Sequence, residues 1–419
     1  MNVLVKSATI VDPKSDFHNQ TIDILIEKGT ISQMSKHIKN PKNYKEIKLN
    51  NLHVSQGWFD SSVSFCEPGF EERETIENGL KTAAHSGFTA IAVNSDTNPV
   101  IDSYATISFL KAKAGAHAVN LYPIGALTKN SDGTDLAELY DMKNAGAIAF
   151  YDYQKPISNP NLMKLALQYA SNFNGLVCSF PQESEISGLG VMNENITSTS
   201  LGLKGNPSLA EELQIARDLF ILEYTEGKLH IPTVSTSKSV ALIRAAKQKK
   251  LDVTCSVAIH NLVFTDKELT TFNTNFKVLP PLRTQNDIDA LIEGLKDGTI
   301  DMATSDHNPV DIEHKKIEFD FAKYGTIGLE SAFGALNTIF TIKQTIELLT
   351  KGKERFGIKS SSISIGNEAN LTLFNPSESY SFSPKDIVST SKNAMFNGKK
   401  LKGIVHGIIA NNQLSLTSS

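Results

Sequence analysis

The chain has 419 residues, 40% of them hydrophobic and 21% charged, and a formal net charge of −4. That balance argues against a general nucleic-acid or membrane-surface binder, and a chain of this length can bury a core without disulfides or metals. Three cysteines, Cys66, Cys178 and Cys255, lack paired spacing, which excludes a disulfide frame or zinc knuckle and fits a cytoplasmic protein.

Taken in chain order, alternating apolar and polar residues predict strands at 3–11, 21–27 and 31–34, with a turn at Lys28-Gly29. The opening residues alternate and do not form a charged-then-apolar leader, so no signal peptide is expected. No run of 18 apolar residues occurs, so no spanning helix is expected either. From residue 51 to 359 the pattern becomes strand then amphipathic helix, eight times over. The strands are predicted at 52–59, 89–93, 119–124, 147–151, 176–179, 229–234, 253–257 and 300–304. The helices are predicted at 75–85, 103–114, 135–144, 161–172, 208–224, 238–249, 285–296 and 330–349. Eight βα units predict an α/β fold, a (β/α)8 TIM barrel. An open doubly wound sheet is the alternative, weakened because no glycine-rich phosphate loop follows the first strand. Further strands are predicted at 369–374, 387–389 and 403–409. With residues 1–50, the 360–419 segment then forms a composite β module, a small β-sandwich built from both termini.

A barrel of this kind places its chemistry at the C-terminal strand ends. Those positions hold Ser62, Ser64, Asp96, Asp152, Ser179, Thr233, His260 and Asp306. Ser62 and Ser64 are two apart on a strand and so share a face. The set is rich in hydroxyls and poor in nitrogen and sulfur donors, so a tight zinc site is not apparent.

The segment DSSVSFCEPG at 60–69 resembles the dihydroorotase signature Asp-x-His-x-His-x-Arg-Glu-Pro-Gly. The pattern continues through Glu74 to Glu77, Gly87 to Thr89, Thr97 to Pro99, Val234 to Thr236 and Pro280 to Arg283. It runs on through Gly298 to Asp301, Ser305 to His307 with Pro309, Gly328 to Glu330 and Asn393 to Gly398. The resemblance covers nearly the whole chain and implies an amidohydrolase-type barrel working in pyrimidine synthesis. It also implies two zinc ions, held by the His-x-His pair, a strand-4 aspartate, one His each from strands 5 and 6, and a strand-8 aspartate that handles the proton. The matching positions here are Ser62, Ser64, Asp152 (or its neighbour Tyr153), Ser179, Thr233 and Asp306. Four imidazoles are thus replaced by four hydroxyls, and no zinc or other cofactor is expected. The family's substrate-carboxylate contacts fall on Cys66, Asp96 and Leu279, with His260 and His307 as further pocket positions.

Each of these residues has a plainer reading beside the functional one. Asp306 is either a vestigial general base or a strand-end acceptor of backbone hydrogen bonds. Asp152 is either a cation ligand or a satisfied carboxylate, and His260 fits a satisfied strand-end histidine. Cys66 lacks a partner for nucleophilic work. Pro280 to Arg283 is either an anion site or a fixed loop, and the hydroxyl set as a whole suits a water-filled polar cavity. The expected function is a dihydroorotase-like protein that is catalytically inactive. Some bacteria carry such homologues in assembly with aspartate carbamoyltransferase, so a hetero-oligomer with that enzyme, or a homo-oligomer, is expected, with no nucleic-acid or membrane partner. The alternatives are a cyclic amidohydrolase with a rearranged or mononuclear site, and a small-molecule-binding regulatory protein.

Overall fold

The computed structural model describes residues 1–40 and 42–417. The chain opens with β1 (Asn2–Val11), β2 (Thr21–Glu27), β3 (Thr30–Ser35), β4 (Lys45–Ile47) and β5 (His53–Gln56). Ile22, Ile24 and Ile26 alternate along β2 and are buried, the pattern of a sheet sealed on one face. A bulge between Val5 and Ala8, where Ser7 is left-handed (φ 51°), lets β1 pair with β4 through its first half and β5 through its second.

Gly57 then turns the chain into the barrel. Residues 52–59 read as one strand in the sequence, but the structure divides them between β5, in the terminal sheet, and β6 (Trp58–Val63), the first barrel strand. A Cβ at position 57 would lie 2.0 Å from Asn370 Oδ1 and 2.1 Å from Thr89 Oγ1. Only a residue without a side chain permits that approach. The terminal sheet therefore continues past residue 50, to Gln56.

After β6 come α1 (Ile76–His85), β7 (Phe88–Val93), α2 (Tyr104–Ala114), β8 (Asn120–Gly125), α3 (Leu139–Ala145), β9 (Ala149–Phe150), α4 (Pro160–Ser171) and β10 (Val177–Cys178). An excursion follows, α5 (Ser184–Ser187), β11 (Met192–Asn193), α6 (Ile196–Leu201) and β12 (Gly205–Asn206). The barrel resumes with α7 (Ser208–Thr225), β13 (Leu229–Ile231), α8 (Ser237–Gln248), β14 (Val253–Ala258), α9 (Gln285–Lys296) and β15 (Met302–Thr304). The eight parallel strands run in the order β6-β7-β8-β9-β10-β13-β14-β15. The first and last meet through a Val63–His307 bridge and the Ser64 N–H, which donates to the His307 carbonyl at 2.8 Å. That closes the (β/α)8 barrel.

The last predicted helix is in fact two. After α10 (Ile312–Lys315), α11 (Leu329–Ile339) and α12 (Ile342–Thr350) are separated at Phe340-Thr341, because Thr341 forms a capping box with Gln344. Past α13 (Gly352–Arg355) the chain returns to the terminal sheet as β16 (Leu371–Ser381), β17 (Lys400–Ala410) and β18 (Gln413–Leu416). That sheet has the order β18-β17-β16-β5-β1-β2-β3. The expected strand at 387–389 does not form. Ser389 instead gives its N–H (3.0 Å) and hydroxyl (2.5 Å) to the Glu330 carboxylate.

Phe59, Ala90, Ala92, Ile124 and Met302 fill the barrel interior, with Phe356 beside them. Trp58 joins barrel to module, its ring 6.0 Å from Phe88, 4.7 Å from Phe333 and 5.6 Å from Phe374. Among the described residues no helix is long and apolar enough to cross a membrane. Gly57→Ala should lower stability by about 1–3 kcal/mol, because the new methyl displaces the Thr89–Asn370 hydrogen bond (2.7 Å) in a packed junction. Equilibrium urea unfolding measures this, and an unchanged midpoint would contradict the close-approach account.

Candidate functional site

The C-terminal strand ends carry a buried polar network. Ser62 and Ser64 point the same way from β6, as period two requires. Ser62 donates its hydroxyl to Asp306 Oδ1 at 2.9 Å, and Ser64 donates to Asp96 Oδ2 at 2.8 Å. Asn94, just past β7, bridges them, its amide 3.2 Å from Ser62 Oγ and 3.3 Å from Ser64 Oγ. The Tyr153 hydroxyl reaches Asp306 Oδ1 at 3.2 Å and itself accepts from Gln154 and Asn308, both at 3.2 Å. Leu279 enters through its backbone, its carbonyl accepting from Gln154 at 3.0 Å. A cleft of about 850 Å³ opens beside Gln154 and Leu279, and Lys277, Asp320 and Tyr324 also line it.

Several candidates lie outside this network. Asp152 turns away, because its carboxylate accepts from the Leu127 and Thr128 N–H groups (2.8 and 3.0 Å) and from the Thr128 hydroxyl. It anchors the loop after β8, and Tyr153 stands beside Asp306 in its place. Ser179 points outward and donates to Asp218 of α7 at 2.6 Å, where Arg217 pairs with the same carboxylate. Thr233 is buried in a left-handed conformation (φ 51°), and its N–H donates to Ser256 Oγ at 3.3 Å. His260 is fully buried, and neither ring nitrogen has a hydrogen-bond partner among the protein groups. His307 accepts from the Gly328 and Leu329 N–H groups (3.2 and 3.4 Å) and so seats the start of α11. Arg283 is committed inside the protein, to Asn193, Ser235 and the Asn206 carbonyl, and cannot serve an anion at the mouth.

Burial governs the titrations here. It pushes the His260 and His307 rings down to about 3, so both are neutral. It raises the Asp60 and Asp96 carboxyls, and lifts Asp306 to about 7 against the opposing pull of Ser62 and Tyr153. Cys66 donates its thiol toward the Pro309 carbonyl at 3.7 Å. Burial and then the nearby Asp96 charge keep it a thiol and not a nucleophilic thiolate. Asn94, Gln154 and Asn308 are network members that the sequence reading does not name, and Asn94 is the one that bridges the two serines. The place of Asn94 two residues before Asp96, at the end of one strand, is the available signal.

A family model described as dihydro-orotase-like matches residues 53–239. The chain is 41% identical to a dihydroorotase of Pelotomaculum thermopropionicum, over 96% of each chain. It is 40% identical to one of Acetivibrio thermocellus, over 98% of this chain and 97% of that one. The chain belongs to the dihydroorotase family. Among solved structures, an L-hydantoinase (dihydropyrimidinase) from Arthrobacter aurescens superposes with a TM-score of 0.86 at 20% identity, over 100% of this chain and 98% of that one. A D-hydantoinase from Thermus sp. gives 0.83 at 19%, covering 100% and 97%. At such identity these two speak for the fold alone.

The two zinc ions implied for a dihydroorotase do not fit the donors present. Serine hydroxyls that already donate to carboxylates are poor zinc ligands beside imidazole or carboxylate. Asp152 already has three protein donors. Among the described residues, no group of three or more His, Cys, Asp or Glu is placed to hold a metal ion.

The Asp306 carboxyl gives a pH signature. Folded, it keeps its proton up to about pH 7, whereas unfolded it loses it near 3.8. The folded state therefore binds more protons across that window, and stability falls as pH rises through it. Asp306→Asn removes this dependence. Its melting temperature should exceed wild type above pH 7 and converge with it below about pH 4. Thermal melts across pH measure this, and a variant less stable at every pH would contradict it.

Proposed function

We propose that this dihydroorotase-family chain is a catalytically silent structural or regulatory partner in pyrimidine synthesis, and that its partner is aspartate carbamoyltransferase. The observation that carries the reading is the pair of hydrogen bonds Ser62–Asp306 and Ser64–Asp96. Hydroxyl donors stand where the family resemblance expects the His-x-His pair. Without a bound metal, water keeps a pKa of about 15.7 and is a poor nucleophile near neutrality. Asp96 and Cys66, at the seats expected to hold an anionic substrate, add no positive charge. The partner assignment rests on the resemblance to inactive family members that assemble with that enzyme.

A second reading, a cyclic amide hydrolase with a rearranged site, is favoured by one observation. Asp306 is held near neutrality beside Tyr153, which suits a general base. Two measurements separate the readings. Purified protein should neither form nor hydrolyse dihydroorotate, with or without added zinc, and restoring histidine at 62, 64, 179 and 233 should recover metal more readily than turnover. Co-expressed with the aspartate carbamoyltransferase of its own organism, the chain should co-elute in size exclusion, since a stable complex buries at least ~1,200 Å². Robust turnover abolished by Asp306→Asn would replace the first reading with the second. Separate elution, with no mutual protection from heat, would remove the partner.

A further inference from the structure

Two cations at the base of the barrel, the end away from the mouth, have carboxylate partners. Arg355 of α13 meets Asp252 just before β14, and Lys247 meets Asp301 just before β15 at 2.7 Å. Lys353, two residues before Arg355, is different. It is 3% exposed, and among the described residues its one hydrogen-bond acceptor is the Gly57 carbonyl. Lysine is almost never fully buried unless it is paired. An ammonium has three N–H donors, so two of these are left without a protein acceptor. Burial pulls Lys353 down to about 8, and it still carries its charge near neutral pH.

The neighbouring Gly352 puts it there. A Cβ at that position would lie 2.7 Å from Met302 Sδ and 3.3 Å from Phe59 Cδ1, so the missing side chain lets α13 press on the barrel floor. Lys353 then lines a cleft of about 470 Å³, where the end of β5 and the start of β16 meet α13. Gln56, Asn370, Ser360 and Ser361 also line it. Among the described residues the lining carries two ammonium groups, Lys353 and Lys359, against one carboxylate, the exposed Glu368.

We propose that this cleft is a phosphate-binding site with Lys353 as its inner wall, taking either free phosphate or the phosphate group of a small monoester. The donor chemistry selects phosphate. Lysine binds phosphate as a point charge, and Ser360 and Ser361 add hydroxyl donors. A carboxylate ligand is matched better by the fork of a guanidinium, and no arginine is among the described lining residues. The lining holds no aromatic ring either, so the anionic group of the ligand has to carry the recognition. Bound phosphate supplies the counter-charge that Lys353 lacks and turns an isolated buried ammonium into a charge-assisted pair. Because Lys353 also holds the Gly57 carbonyl, occupancy braces the joint between the terminal sheet and the barrel. The inference is independent of what the barrel mouth does.

Isothermal titration calorimetry of the full chain with inorganic phosphate, in a buffer otherwise free of it, tests the site. Wild type should bind one equivalent with a Kd of about 1 mM or tighter, and its melting temperature should rise with phosphate. Lys353→Met keeps the apolar stem, removes the charge and should weaken binding at least ~10-fold. Lys359→Glu, at an exposed position, should do the same without touching the core. Lys343→Gln, on the exposed side of α12, should leave affinity unchanged. Circular dichroism checks that each variant is folded. Glycerol phosphate separates the two sources: tighter binding than inorganic phosphate assigns a monoester, weaker binding assigns the free ion, and either supports the site. No saturable binding up to about 10 mM phosphate overturns the proposal. So does undiminished binding by folded Lys353→Met or by Lys359→Glu, an equal loss in Lys343→Gln, or acetate binding as tightly as phosphate.

Discussion

The structure depends on one buried carboxylate. Asp60 sits in β6 with 1% exposure and accepts from the Ser305 N–H (2.8 Å), the Ser62 N–H (3.0 Å) and the Thr304 hydroxyl. Two of those donors lie at the end of β15, so a single side chain ties the first barrel strand to the last. A carboxylate in that position is tolerable only when its oxygens are hydrogen-bonded, which fixes the register at the closing seam. With the register fixed, Ser62 faces Asp306 across the seam, and Ser64, two residues on from Ser62, reaches Asp96 past the end of the neighbouring β7. The seam and the Ser62–Asp306 half of the mouth are therefore set by the same constraint.

That arrangement gathers Asp60, Asp96 and Asp306 in one neighbourhood where burial raises all three carboxyls. Acidic clusters of this kind are ordinarily neutralised by bound cations. Here the balance falls to protons and to neutral donors: hydroxyls from Ser62, Ser64 and Tyr153, and the Asn94 amide. A dihydroorotase fold can thus keep its mouth ordered without imidazole ligands, because hydroxyl-to-carboxylate bonds hold the same strand ends together. This is the physical content of the scaffold reading: the geometry persists while the donor chemistry changes.

Much of this was legible in the sequence, and the failures have local causes. Eight apolar strands alternating with helical periodicity gave the barrel, and the pairing of the two ends into one sheet followed from their alternation. The break at Gly57 was not legible, because it arises from a contact with Asn370 and Thr89, both remote in sequence. The division of 330–349 at Thr341 was signalled by a capping box that an apolar count passes over. At the mouth, Ser62, Ser64, Asp96 and Asp306 were placed by strand-end reasoning. Asp152 is the satisfied carboxylate that the sequence allowed, whereas the outward turn of Ser179 was not legible, because which way a strand-end side chain turns depends on its partner, here Asp218.

The central claim concerns what the mouth can bind, and diffraction at the zinc absorption edge addresses it directly. Crystals grown with zinc in excess would be measured above and below the edge. The account predicts no anomalous peak among Ser62, Ser64, Tyr153 and Asp306, with the hydroxyls still bonded to their carboxylates. Two well-occupied peaks there, with Asp306 turned to meet them, would contradict it.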